Sequence, residues 1–261
     1  MSIAHILDII VETKKKEVDF LRNRGIQLPD SYKEARIDRP RGFRSALLKF
    51  NGVAVIAEVK KASPSKGVIC ADFDPVEIAK NYQENGAQAV SVLTDVDYFQ
   101  GSLLYMMQVR ESIELPVLRK DFIIDELQIK EAHLHGADAI LLIAAILDRN
   151  QMQEYKHMAA ELGMDSLVEV HDEAETEKAL EAGSDLIGVN NRNLKDFSMD
   201  LETTFRLKKM IPDDIPVVSE SGLKTEDDFK RLRNEGIQAA LIGETLMRAG
   251  DNSNLLSLLR R

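Results

Sequence analysis

The chain has 261 residues, 44% of them hydrophobic and 30% charged, a balance that excludes a disordered protein and one made mainly of membrane spans. Its formal net charge of −10 argues against sequence-independent binding to nucleic acid, where a basic face supplies most of the affinity. A single cysteine, Cys70, rules out an internal disulfide and speaks against a thiolate metal site.

Helical periodicity opens the chain in "IAHILDIIVETKKKEVDFL" from residue 3, where "KKK" at 14 to 16 reads as a solvated helix face. Asp8 interrupts the apolar stretch, so no secretion signal is expected, and "AILLIAAIL" at 139 is too short to cross a bilayer. A cytoplasmic protein without membrane attachment is the expectation. A second short helix, "GFRSALLKF", follows at 42, and residues 1–50 together predict a helical extension that caps what comes next.

Apolar runs bounded by turn residues then recur eight times: "VAVIAEV" at 53, "AVSVLTD" at 89, "LPVLRKD" at 115, "AILLIAA" at 139, "SLVEVH" at 166, "LIGVNN" at 186, "IPVVSES" at 215 and "AALIGE" at 239. Amphipathic segments lie between them, such as "PVEIAKNYQENG", "DELQIKEAHLHG", "DRNQMQEYKHMAAELG" and "DEAETEKALEAG". Several open with Asp, which caps a helix N-terminus. "NGAQAV" at 85, "HGADAI" at 135, "AGSDLI" at 182 and "EGIQAA" at 235 repeat one device, a glycine that closes a helix and leads straight into a strand. Strands apolar on both faces and separated by helices belong to a parallel sheet. Eight of them predict a TIM (β/α)8 barrel in which residues 1–261 form one domain, with 1–50 as its N-terminal extension.

Such a barrel carries its chemistry at the carboxyl ends of its strands. Those ends hold Glu58 and Lys60, Lys120, Glu169, Asn190, and Glu220 with Ser221. Side chains alternate along a strand, so Glu58 and Lys60 share a face with Ile56. The odd-numbered strands are expected to build one topmost layer holding two lysines and at least two glutamates. Buried ion pairs, Glu58 with Lys120 or Lys60 with Glu169, are the plainer explanation. A pair gains about 4 kcal/mol at about 4 Å when the effective dielectric is about 20, yet desolvation costs several kcal/mol per ion, so four such groups at one rim favour catalysis. Gly222 and Gly243, in the loops after the seventh and eighth strands, allow the N–H groups of Ser221, Gly222, Gly243 and Glu244 to approach a phosphate. Ser63 and Ser65 add hydroxyl donors from the loop after the first strand.

In combination "RPRGFRSAL", "AEVKKASPSKG", "LPVLRKDFIID", "LVEVHDE", "IGVNNRNL", "VSESGL" and "LIGETLM" resemble the indole-3-glycerol phosphate synthase family over some four fifths of the chain. The resemblance implies a TIM barrel with an N-terminal extension, without cofactor or metal. It implies conversion of 1-(2-carboxyphenylamino)-1-deoxyribulose 5-phosphate to indole-3-glycerol phosphate with loss of carbon dioxide and water. Carried over by motif, the catalytic positions are Glu58, Lys60, Lys120, Glu169, Asn190, Glu220 and Ser221, and the phosphate positions are Ser63, Gly222, Gly243 and Glu244. The ligand expected is a small anion with a phosphate and a carboxylate, with no nucleic-acid, membrane or obligate protein partner, and no second enzyme domain is expected after residue 261.

Ring closure requires protonation of a ketone oxygen, and Lys120 is the expected principal acid, its pKa drawn toward useful strength by neighbouring cations. Lys60 suits the substrate carboxylate, and Glu169 is the expected base, with Asn190 fixing the intermediate and Glu58 tuning the lysines. Phe122 and Leu194 are candidates to pack on the aromatic ring. Arg192 is expected to meet the anionic ligand or brace its loop, and His171 to hydrogen-bond behind Glu169. Two rivals remain open: an aldolase-like enzyme in which a neutral Lys120 forms a Schiff base, and a non-catalytic phosphosugar-binding barrel.

Overall fold

In the computed structural model, which describes residues 3–33, 38–193, 198–249 and 256, the eight apolar runs form eight strands. They are β1 (Ala54–Val59), β2 (Ala89–Leu93), β3 (Val117–Lys120), β4 (Ala139–Ile143), β5 (Asp165–Val170), β6 (Ile187–Asn190), β7 (Val217–Glu220) and β8 (Ala239–Ile242). Each pairs in parallel with its neighbours in sequence, and β8 pairs with β1 to close the barrel. The expected TIM barrel is therefore observed.

The N-terminal helices are α1 (Ile3–Arg24) and α2 (Phe43–Leu48). The four amphipathic segments become α3 (Pro75–Glu84), α5 (Glu126–Leu134), α6 (Arg149–Glu161) and α7 (Glu173–Glu181). Four helices the sequence reading left unassigned complete the alternation: α4 (Leu103–Ser112), α8 (Glu202–Lys208), α9 (Glu226–Asn234) and α10 (Glu244–Ala249). Asp74, Asp125, Asp148 and Asp172 accept hydrogen bonds from first-turn amides of α3, α5, α6 and α7, satisfying donors the helix itself cannot. The recurrent glycines Gly86, Gly136, Gly183 and Gly236 all have positive φ, as a left-handed helix stop requires. The loop after β1 holds a short antiparallel hairpin of Ala62–Ser63 with Gly67–Val68, which the sequence reading did not anticipate.

Strand alternation divides the core in two. Val55, Ala57, Val59, Val117, Val168 and Val217 face outward and pack with the helices. Ala54, Ile56, Leu118, Leu167, Val218 and Leu241 fill the barrel interior, where Phe43 and Leu47 of α2 join them. Since Ala54, Ala89, Ala139 and Ala239 are the residues at strand starts in that cluster, α2 stoppers the N-terminal end of the cylinder. Asp165, which accepts from the Arg44 amide at 2.8 Å, and Asp138, which accepts from the Arg41 amide at 2.7 Å, fasten it there. No described helix is long and apolar enough to cross a membrane.

One reading of α1 needs correction. Lys14, taken as part of a solvated face, is 1% exposed. Its ammonium lies 2.8 Å from Asp95, 2.9 Å from Asp121 and 2.9 Å from Glu17. The extension thus grips the carboxyl rim of the barrel with α1 and closes the amino end with α2.

Candidate active site

Inward alternation continues one step beyond the apolar interior, and there it delivers charge. Glu58 follows Ile56 on β1, Lys120 follows Leu118 on β3, Glu169 follows Leu167 on β5 and Glu220 follows Val218 on β7. These four, from alternate strands, form the topmost layer. It holds three glutamates, as the expected minimum of two allows, but one lysine where two were expected, because Lys60 lies just past the end of β1 and reaches back to the Glu58 carboxylate.

The ion pairs also differ from those first considered. The Lys120 Nζ lies 2.7 Å from Glu169 Oε2 and 3.0 Å from Glu220 Oε2, while Glu58 pairs with Lys60. Burial opposes the charge on Lys120, but the fields of Glu169, Glu220 and Glu58 outweigh it and hold the amine above its ordinary range. The expectation that neighbouring cations lower this pKa is therefore wrong: the groups around Lys120 are carboxylates. Burial likewise opposes ionisation of Glu169, and Lys120 and His171 overcome it, holding the carboxyl below its usual range. Glu220 goes the other way, raised by burial and by the nearby Glu169 and Glu58 charges despite its contact with Lys120. Its Oε1 is buried without a hydrogen-bond partner among the described residues. That atom rests against Gly188 on β6, where an added Cβ would overlap it.

Above this layer opens a cavity of about 870 Å³, a size suited to a small-molecule site. Glu58, Lys60, Lys120, Glu169, Asn190, Glu220 and Ser221 all line it, and so do Ser63, Phe122, Arg192, Gly222, Gly243 and Glu244. Leu194 lies outside the described residues. Phe122 forms an aromatic wall with Phe99, their ring centroids 6.1 Å apart. The Arg192 amide donates to Asn190 Oδ1 at 3.1 Å and its backbone bridges to Met199, so its main chain braces the loop while the residue lines the cavity.

In the phosphate region, Ser221 and Gly222 have φ of 68° and 84°, and their backbone N–H groups donate to nothing among the described residues. A serine is strained in that conformation. Asn191, which the sequence reading passed over, helps to hold it: its Nδ2 donates to the Ser221 carbonyl and to Ser219 Oγ, both at 3.0 Å, while Thr204 anchors its Oδ1. Gly243 has a second reason to be glycine, because an added Cβ would overlap the Glu58 carboxylate. Lys66 and Lys224 line the mouth and were not singled out, and neither were Ile6 and Leu7 of α1. Nothing local marks them, since their convergence depends on the closed barrel.

Comparison with known proteins shows the family to which the chain is similar. A sequence model of the indole-3-glycerol phosphate synthase family matches residues 7–259. An indole-3-glycerol phosphate synthase of Desulfotalea psychrophila is 65% identical, over 98% of this chain and 98% of its own. One from Chlorobium chlorochromatii is 51% identical, over 92% of this chain and 94% of its own. The solved structure of an N-acetylmannosamine-6-phosphate 2-epimerase from Clostridium perfringens matches with a TM-score of 0.60 at 14% identity, covering 78% of this chain and 92% of that one. At that identity the likeness is one of fold.

Proposed function

The chain belongs to the indole-3-glycerol phosphate synthase family, carboxy-lyases of tryptophan biosynthesis, and from that membership we propose that it acts in the cytoplasm, converting 1-(2-carboxyphenylamino)-1-deoxyribulose 5-phosphate to indole-3-glycerol phosphate by lysine and glutamate general acid–base catalysis. One observation carries the mechanism: the Lys120 ammonium sits between Glu169 and Glu220 at the floor of the cavity.

Attack of the aromatic carbon on the ketone loads negative charge onto the carbonyl oxygen, whose basicity rises toward that of an alkoxide. Lys120 carries a proton throughout the neutral range and gives it to that oxygen as the bond forms. Lys60 holds the substrate carboxylate until carbon dioxide departs. The proton that leaves Lys120 also removes the charge that depresses Glu169, so donation by the lysine raises the basicity of the glutamate. Glu169 then accepts the ring proton as the aromatic system is restored, and the hydroxyl leaves as water with a proton from Lys60, whose ammonium is released when the carboxylate departs. Asn190 fixes the intermediate, Glu58 orients Lys60, and Phe99 and Phe122 take the aromatic ring. The N–H groups of Ser221 and Gly222, which donate to nothing among the described residues, receive the phosphate, with Ser63, Gly243 and Glu244 around them.

A Schiff-base reading requires a neutral amine, and the three carboxylates that keep Lys120 protonated count against it. The deciding experiment mixes the protein with the carboxyphenylamino substrate and follows indole fluorescence. Emission that grows with turnover supports the proposal; binding by calorimetry without emission overturns it. Borohydride trapping of a covalent adduct with a ketose phosphate would favour the aldolase-like rival instead.

A further inference from the structure

His171 stands where β5 ends, two residues beyond Glu169, and lines the cavity with 8% of its side chain exposed. Its ring is fixed from behind. The Nδ1 lies 2.9 Å from Glu175 Oε2, and the His171 backbone amide donates to that same oxygen at 2.9 Å. Glu175 is itself set by α7, whose N-cap residue Asp172 accepts from the Glu175 amide at 2.9 Å. With Nδ1 turned toward Glu175, Nε2 faces Glu169 Oε1 at 3.2 Å, an ion-pair contact off the hydrogen-bonding axis. The other oxygen of Glu169 meets Lys120 at 2.7 Å. Each oxygen of this carboxylate therefore faces a different nitrogen group, in the order Glu175, His171, Glu169, Lys120, Glu220.

We propose that His171 is a positioning residue for Glu169, an imidazolium pinned by Glu175 that keeps the carboxylate ionised and turned toward Lys120 and limits how basic it becomes when Lys120 gives up its proton. This inference rests on the reading of Glu169 as the catalytic base. The charged groups acting on the ring are Glu169 on its own strand and Glu175 on α7; beyond Glu169 lie Lys120 from β3 and Glu220 from β7. Burial disfavours the ring's charge, but the two carboxylates raise its pKa to about 10. Lys120 is neutral for part of the cycle. During that interval His171 is the cation still paired with Glu169, so its charge controls the step that follows.

The test is the pH profile of kcat at saturating substrate for wild type, His171→Gln, Glu175→Gln and Glu169→Gln, with thermal melts of each. His171→Gln retains a polar partner but no charge, and is expected to move the acidic limb up by about one pH unit. Glu175→Gln moves it in the same direction by less. Loss of turnover in Glu169→Gln with an unmoved limb in His171→Gln overturns this inference alone. A Glu169→Gln enzyme that turns over normally overturns the base assignment and this inference with it. Should His171→Gln fail to fold, nitrogen NMR of the wild-type imidazole decides: a doubly protonated ring at pH 8 supports the proposal, and a neutral one overturns it.

Discussion

Three consecutive residues at the end of β3 serve two clusters of charge built on different terms. Arg119 and Asp121 take part in the outer one, beneath α1, and Lys120 belongs to the inner one, over the cavity floor. In the outer cluster Asp121 receives Lys14 at 2.9 Å, Thr94 Oγ1 at 2.5 Å, Arg119 at 3.2 Å and the Phe122 amide at 2.8 Å. Arg119 also reaches Glu131 at 3.0 Å and the Gln128 carbonyl at 2.8 Å. Burial opposes ionisation of Asp121, yet Lys14 and Arg119 hold its carboxyl well below the usual range. In the inner cluster the Lys120 ammonium is shared by two carboxylates, and one oxygen of Glu220 has no hydrogen-bond partner among the described residues. In the outer cluster every carboxylate meets Lys14 or Arg119, although Asp95 Oδ2 lies off the hydrogen-bonding axis of its ammonium, and the cluster fastens α1 to the rim; the inner one opens onto the cavity and provides groups able to exchange protons.

The largest effect should appear in Lys120→Ala, where kcat falls by about 10³-fold, close to 4 kcal/mol, and the melting temperature falls as well, because Glu169 and Glu220 lose their shared cation. A full rate at saturating substrate would remove Lys120 from the chemistry. Lys14→Met probes the other side. Breaking a buried pair costs about 3 kcal/mol here, the lower end of the range, because Asp95 keeps the Tyr98 amide and Asp121 keeps Thr94 and Arg119. Urea unfolding measures it, and an unchanged midpoint would mean the outer cluster contributes nothing. The paired carboxylate of Asp121 sets the sign with pH. Its pKa is lowered on folding, so its stabilisation is present above the unfolded value near 3.9 and is lost as pH falls toward the folded one.

Gly243→Ala sharpens the comparison at the cavity floor. The new methyl group displaces the Glu58 carboxylate, so kcat should fall by roughly tenfold together with any rise in KM. A change in KM alone would confine Gly243 to the phosphate. The smallest effect is expected from Glu220→Gln. The pKa of Glu220 is raised on folding, so its ionisation subtracts stability as pH climbs above the unfolded value, and the neutral amide should stabilise the protein by about 1 kcal/mol at pH 8 while lowering kcat. A lower melting temperature would show that the inner cluster, too, is built for strength.

What the sequence disclosed and what it hid follow the same division. All eight strands, and the inward direction of Glu58, Lys120, Glu169 and Glu220, follow from period-2 alternation and glycine-stopped helices, which are local properties. Which acid meets which base is set by how the cylinder closes, so the Glu58–Lys60 and Lys120–Glu169 pairs were not legible. Lys14 looked like its neighbours in "KKK" because its partners Asp95 and Asp121 belong to remote segments of the chain. Asn191 and Glu175 went unnoticed for a similar reason. Each supports a neighbour of the chemistry, and a supporting contact leaves no motif.

Among the described residues, the packed interior and the stopper made by Phe43 and Leu47 leave the cavity open only at the carboxyl rim. Carbon dioxide, water and product have to exit past the same residues that admitted the substrate, including Ile6 and Leu7 of α1. Traffic through that opening is thus two-way, and product has to clear it before the next substrate enters.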